Sequence, residues 1–268
     1  MVAKTPIRHS NSGEGPPVIL MHGLFGAGNN LGALARSLAD RFCVYSLDLP
    51  NHGRSAWMKN AALQRMAGAV STWMDDEGLE SAALAGHSLG GKVAMELALA
   101  QPQKVDALVV ADIAPVAYPP RHDAVFAALD AVVAGACRSR EEASGIMAQY
   151  LGEPGVIQFL LMSLQRGDDG VYNWRFNLEG IKQDYAALRA EPDVIEAYAG
   201  PVLFVKGGES DYILPEHRAR VLELFPRAQL EIMADCGHWL HAQQPAVFND
   251  IVGRFLDRTL AGPKQAPR

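Results

Sequence analysis

The stretch Ala82-Ala83-Leu84-Ala85-Gly86-His87-Ser88-Leu89-Gly90 decides the reading of this chain. An apolar run, Ala82 to Ala85, meets the pattern G-x-S-x-G at Gly86 to Gly90, and a segment with helical spacing, Gly91 to Ala100, follows. A serine on so sharp a strand–turn–helix bend has its hydroxyl pushed out at the carboxyl edge of a sheet, and the flanking glycines let backbone pass without a Cβ clash. Ser88 is therefore the candidate nucleophile. The competing reading is a glycine-rich turn whose serine caps the next helix, and the partners such chemistry needs decide between the two.

Outward from this point, the chain alternates strands and helices. Pro17 to His22 and Cys43 to Leu49 are short apolar runs separated by helical spacing from Leu31 to Asp40, a βαβ unit. The rhythm continues through Ala82–Ala85, the helix from Leu89, Val105–Asp112, Pro201–Lys206 and Gln229–Met233. Near-continuous apolar strands between helices predict an α/β fold, a mostly parallel sheet with helices on both faces. Between Asp112 and Gly200 the rhythm stops, and four helices are expected at Asp123–Val133, Arg140–Tyr150, Val156–Gln165 and Leu178–Arg189. A strandless stretch of that length is too long for a loop. The expected organisation is a core of residues 1–115 and 200–260, a helical cap inserted at 116–199, and a disordered tail at 261–268. Tyr150, Phe159, Leu160, Met162, Trp174 and Phe176 are candidates for the wall of an acyl pocket or for the cap's own core.

With 268 residues and 49% hydrophobic content the chain can bury a full core. Its formal charge of −6 and scattered basic residues argue against nucleic acid or an anionic membrane as partner. Met1 to Pro17 has no apolar leader core, and no uninterrupted apolar stretch reaches the roughly 20 residues of a membrane span, so a cytoplasmic protein is expected. Cys43, Cys137 and Cys236 show no paired spacing, which predicts reduced thiols.

A serine hydroxyl needs an imidazole to take its proton and return it to the leaving group. His238, in Ala234-Asp235-Cys236-Gly237-His238-Trp239 after the final strand, is placed to reach the same sheet edge. His241 begins or caps the last helix, His52 sits in a turn near the pocket rim, and His87 is expected to point its ring away from the reacting serine. The acid that orients the imidazole must follow the serine and precede the histidine. Asp112, closing one strand, and Asp211, in Gly207-Gly208-Glu209-Ser210-Asp211-Tyr212 just beyond another, both qualify on the residues alone. The oxyanion donors are assigned to the backbone N–H groups of Leu89 and of Leu24, with Phe25 next, in the loop His22-Gly23-Leu24-Phe25-Gly26. That loop matches neither nucleotide-binding glycine pattern. Phe25, His87, Phe159 and Trp239 are the candidate substrate-binding side chains.

The segments His22 to Leu31, Asp48 to Ser55, Gly86 to Lys92, Asp112 to Val116, Gly155 to Leu160, Trp174 to Asn177 and Gly237 to His241 together resemble the cofactor-independent α/β-hydrolases. Within that superfamily they are similar to the small bacterial esterases related to the mammalian abhydrolase-domain-containing protein 11. The resemblance implies the α/β-hydrolase fold, carboxyl-ester hydrolysis with acyl-CoA thioesters as a second substrate class, and neither metal nor organic cofactor. It also implies Asp112 as the acid, from the Asp-Ile-Ala-Pro-Val stretch, with Asp211 a second aspartate such relatives often lack. Arg121, Arg166 and Arg175 are candidates to meet an anionic group. Carbon–carbon bond hydrolysis, a haloperoxidase-type activity and a non-catalytic ligand-binding role are the rival readings; oligomeric state is left open.

Overall fold

A computed structural model describes residues 6–193 and 196–260. The first half runs β1 (Arg8–Ser12), β2 (Pro17–Met21), α1 (Gly32–Leu38), β3 (Cys43–Asp48), α2 (Leu63–Asp76), β4 (Ala82–His87), α3 (Leu89–Ala100) and β5 (Val105–Ala111). An insert follows, with α4 (Asp123–Ala134), α5 (Arg140–Met147), α6 (Pro154–Leu161), β6 (Leu164–Arg166), β7 (Tyr172–Trp174) and α7 (Leu178–Leu188). The chain ends with β8 (Val202–Gly207), α8 (Arg218–Leu224), β9 (Ala228–Met233), α9 (Leu240–Gln243) and α10 (Pro245–Leu260).

Seven strands form one sheet in the order β1-β3-β2-β4-β5-β8-β9. Every pairing is parallel except β1 with β3. Side chains alternate across the sheet, so Ile19, Met21, Leu84, Leu108 and Val110 pack with α2 and α3 on one face. Val18, Leu20, Ala83, Ala85 and Val109 pack with α1 and α10 on the other. Burial on both faces is why β4 and β5 read as near-continuous apolar runs, broken in β5 only by the exposed Asp106. On α10 the spacing Phe248, Ile251, Val252, Phe255, Leu256 puts one stripe against the sheet; truncating a buried phenylalanine such as Phe255 to alanine removes about 3–5 kcal/mol.

β1 and α2 lie outside the elements expected from the sequence. β1 is a polar strand exposed along its length, made regular by its antiparallel register with β3. In the insert, the expected helix through Gln165 stops at Leu161, and Leu164–Arg166 instead pairs with Tyr172–Trp174 as a hairpin. The strandless expectation for this region is thereby corrected. The bend is fixed by Ser163, whose hydroxyl donates to the carbonyl of Phe25 at 2.6 Å and whose own carbonyl accepts from the Arg175 N–H at 2.9 Å. Likewise α5 ends at Met147, and 148–150 form turns. The expected disordered tail at 261–268 lies outside the described residues.

The insert is tied to the sheet through Lys92 on α3. Its buried Nζ donates to the carbonyls of Val116 and Ala190, at 2.7 and 2.5 Å, one on each connection between core and insert. Burial lowers this lysine to about 7. Among the described residues no helix is long and apolar enough to cross a membrane.

Candidate active site

Ser88 stands at the junction of β4 and α3 with φ 52° and ψ −116°, a backbone conformation that costs on the order of 1–3 kcal/mol and persists only when its surroundings enforce it. They do. Its N–H donates to the carbonyl of Ala111 at 3.0 Å, and its carbonyl starts the helical ladder by accepting from Lys92. A Cβ at Gly86 would lie 2.2 Å from the Gly90 carbonyl oxygen, and one at Gly90 would lie 2.3 Å from that of Met21, so the turn closes only with glycine at both positions.

The neighbouring strand β5 ends the same way. Asp112 also has positive φ, 51°, and its N–H donates to the carbonyl of Val205 on β8 at 2.8 Å. Its carboxylate is fully buried and accepts from the Gly207 N–H at 3.0 Å, the Ser210 hydroxyl and the His238 Nδ1–H at 2.8 Å. Because a carboxylate only accepts, the Nδ1 proton of His238 is fixed and Nε2 is left to accept. Nε2 lies 3.1 Å from Ser88 Oγ. The Tyr212 ring stacks on the imidazole, with centroids 4.0 Å apart and planes 22° apart. The His87 Nε2–H donates to the backbone carbonyl of His238 at 2.8 Å, and Gln243 accepts the Gly237 N–H at 2.8 Å, so the loop carrying His238 is held from two sides.

Of the two aspartates weighed from the sequence, Asp112 meets the imidazole and Asp211 does not. Asp211 is 65% exposed in its side chain and pairs with Arg121 at 2.7 Å on the cavity wall. Ser210, its neighbour, is a contact the sequence analysis missed; the signal was the same Gly-Gly-Glu-Ser-Asp stretch, read there only for its aspartate.

The loop Gly23–Phe25 approaches Ser88 so closely that a Cβ on Gly23 would lie 3.3 Å from that of Ser88. His22 braces it: Nδ1–H donates to the Gly23 carbonyl at 2.8 Å and Nε2 accepts from the Leu49 N–H at 3.0 Å. Burial pushes His22 down to about 4, so the ring is neutral at pH 7 and can fill both roles. His52 is likewise lowered to about 3, His122 and His241 to about 4, and His87 well below its ordinary value, each chiefly by burial. His238 is the cavity histidine with a carboxylate on its ring.

Above Ser88 opens a cavity of about 610 Å³ whose wall includes Leu24, Phe25, His87, Phe159, His238 and Trp239. All four candidate substrate-binding residues thus face it, including His87. Tyr150 and Leu160 line it as well, whereas Phe176 is buried against Phe25 and Trp174, and Met162 is exposed elsewhere. Arg121 reaches the cavity, whereas Arg175 donates to the Met162 carbonyl. Leu24, Ser88 and Leu89 meet around a second cavity of about 50 Å³.

Residues 18–251 match a family model described as the alpha/beta hydrolase family. The chain belongs to the alpha/beta hydrolase family. Among relatives in that family, esterase YbfF of Escherichia coli is 38% identical over 251 residues, 93% of this chain and 95% of its own length. The sn-1-specific diacylglycerol lipase ABHD11 of Mus musculus is 36% identical, covering 90% of this chain and 81% of its own. A solved alpha/beta hydrolase, a marine microorganism esterase, superposes with a TM-score of 0.91 at 35% identity, over 94% of this chain and all of that one.

Proposed function

We propose that this chain is a serine carboxyl-ester hydrolase working through an acyl-enzyme on Ser88. The observation that carries the reading is the unbroken hydrogen-bond chain Asp112–His238–Ser88 at the base of an open cavity. In the first step His238 Nε2 takes the Ser88 proton as Oγ bonds to the ester carbonyl carbon; the imidazolium is stabilised by buried Asp112. The same proton then passes to the leaving alkoxide oxygen as the C–O bond breaks. Water, deprotonated in turn by His238, attacks the acyl-serine and returns the enzyme and a carboxylic acid. The negative charge that develops on the carbonyl oxygen is met by the N–H groups of Leu89 and Leu24, each contributing about 2.7–4 kcal/mol of barrier lowering.

Residues 116–199 act in this reading as a cap over the core formed by 1–115 and 200–260. Support comes from the wall of the larger cavity, which draws Tyr150 and Phe159 from the insert and Ser88 and His238 from the sheet edge. The substrate is a small-molecule ester, in keeping with the names of the esterase relatives.

A fluorophosphonate probe together with p-nitrophenyl ester turnover tests the reading. The expected result is labelling confined to Ser88, and loss of both labelling and turnover in Ser88→Ala with an unchanged circular dichroism spectrum. Turnover retained in folded Ser88→Ala would remove the serine from the mechanism.

A further inference from the structure

The two cavities at Ser88 share part of their wall, and His122, from the start of the insert, lines both of them. Three histidines line the larger cavity, His87, His122 and His238, and two of them have their ring N–H groups engaged. His87 gives its Nε2–H to the His238 carbonyl, and His238 gives its Nδ1–H to Asp112. His122 is the one whose N–H is unspent, and the hydrogen bonds around it show which nitrogen carries the proton.

The Tyr185 hydroxyl oxygen accepts the backbone N–H of Arg121 at 3.1 Å and lies 2.5 Å from His122 Nδ1. No other group among the described residues takes the phenol's own proton, so that proton goes to Nδ1, which must present a lone pair. A neutral imidazole with a lone pair on Nδ1 carries its hydrogen on Nε2. Partial burial favours the neutral ring, lowering His122 to about 4. The ring plane is held as well, edge to face against Tyr185 with centroids 5.5 Å apart and against Phe25 at 6.0 Å. Nε2 itself has no hydrogen-bond partner among the described residues, and it is open to solvent, unlike the sealed and unpartnered His52 Nε2 and His241 Nδ1.

A fixed N–H beside the nucleophile, with no acceptor in the protein, calls for an acceptor on the substrate. On the reading that Ser88 cleaves esters, we propose that His122 is a specificity-determining residue. Its Nε2–H donates to a second oxygen of the substrate, a few bonds from the scissile carbonyl on the acyl or the alcohol side. The enzyme then favours esters that carry an ether, hydroxyl or further carbonyl oxygen at that place over purely hydrocarbon ones. Tyr185 is a positioning residue in this arrangement, since it acts only by holding the imidazole proton on Nε2. The preference is modest, because water in the open cavity satisfies the same N–H when a hydrocarbon ester is bound. One neutral hydrogen bond of this kind changes selectivity by about 3–10-fold.

Two isosteric pairs read the preference and the side it acts on. p-Nitrophenyl methoxyacetate against p-nitrophenyl butyrate exchanges a methylene for oxygen on the acyl part; 2-methoxyethyl acetate against butyl acetate does so on the alcohol part. Because the oxygen also alters intrinsic reactivity, the quantity read is the kcat/KM ratio within a pair in the parent, divided by the same ratio in His122→Phe, which keeps a ring and removes the donor. The expected quotient is about 3–10 in at least one pair, and the pair that shows it names the side on which the oxygen binds. His122→Gln, which retains an N–H donor, should recover most of the lost preference, and Tyr185→Phe, which frees the proton to sit on either ring nitrogen, should lose part of it. Should His122→Phe fail to fold, Tyr185→Phe reports on the same donor, and ratios there equal to the parent's in both pairs overturn the proposal. A quotient near 1 in both pairs, in an enzyme whose Ser88 takes the fluorophosphonate, overturns the role of His122 and leaves the esterase reading standing. No labelling and no turnover with any ester overturns both.

Discussion

The loops that follow β5 and β8 each bring an aspartate to the same end of the sheet, then give it opposite surroundings. Asp112 is sealed from water and takes three donors, from a backbone amide, a serine hydroxyl and an imidazole. Asp211 lies largely in solvent and shares one oxygen with Arg121. An exposed ion pair of that kind contributes about 0–1 kcal/mol, whereas hydrogen bonds to a buried charge contribute about 1.5–3 kcal/mol each. The contrast teaches that position in the chain does not decide which carboxylate serves the imidazole. What decides it is a desolvated site whose donors hold the carboxylate in one orientation, so that the histidine it contacts is held too.

Ser210 is the sharpest place to break the contrast, because it belongs to the exposed loop yet serves the buried carboxylate. Ser210→Ala is expected to lower kcat by about 10–100-fold through the loss of one charge-assisted hydrogen bond, with KM little changed. Ser210→Thr, which keeps the hydroxyl, should recover most of the rate. Equal kcat in the alanine variant and the parent would mean that the Gly207 amide alone positions Asp112.

A smaller effect is expected on stability. The buried histidines His22, His52 and His241 and the half-buried His122 are lowered from the ordinary 6.5 to about 4, 3, 4 and 4 respectively. Between those values the unfolded chain binds more protons, so stability rises with pH across that window and is lost as pH falls from about 6.5 toward 4. Thermal unfolding across pH 4 to 8 should show Tm falling on the acid side, with a shallower fall in His52→Asn. An acid limb as steep in His52→Asn as in the parent would exclude this residue from the linkage.

The parts of the molecule legible in the sequence are those where local chain geometry carries the chemistry. Gly86 and Gly90 are demanded by backbone contacts within one turn, so Ser88 is visible as a pattern. His238 is visible because it follows the last strand of an alternating βα series. The choice between Asp112 and Asp211 is invisible on the residues alone, since both follow a strand and only tertiary burial separates them. β1, Arg-His-Ser-Asn-Ser, has no apolar alternation and exists through its pairing with β3. The β6–β7 hairpin is built from three-residue strands, too short for periodicity, although Gly167 and Gly170 mark its turn. α2 was open to reading, because Leu63, Met66, Ala67, Val70 and Met74 follow helical spacing.

The central claim, that His238 is oriented by Asp112 to activate Ser88, is tested most directly by measuring kcat/KM for p-nitrophenyl acetate in Asp112→Asn and Asp211→Asn beside the parent. The account predicts a fall of about 10⁴-fold in Asp112→Asn, the scale on which a triad aspartate acts, and a change of less than about threefold in Asp211→Asn. A large loss in Asp211→Asn with activity retained in Asp112→Asn would contradict it.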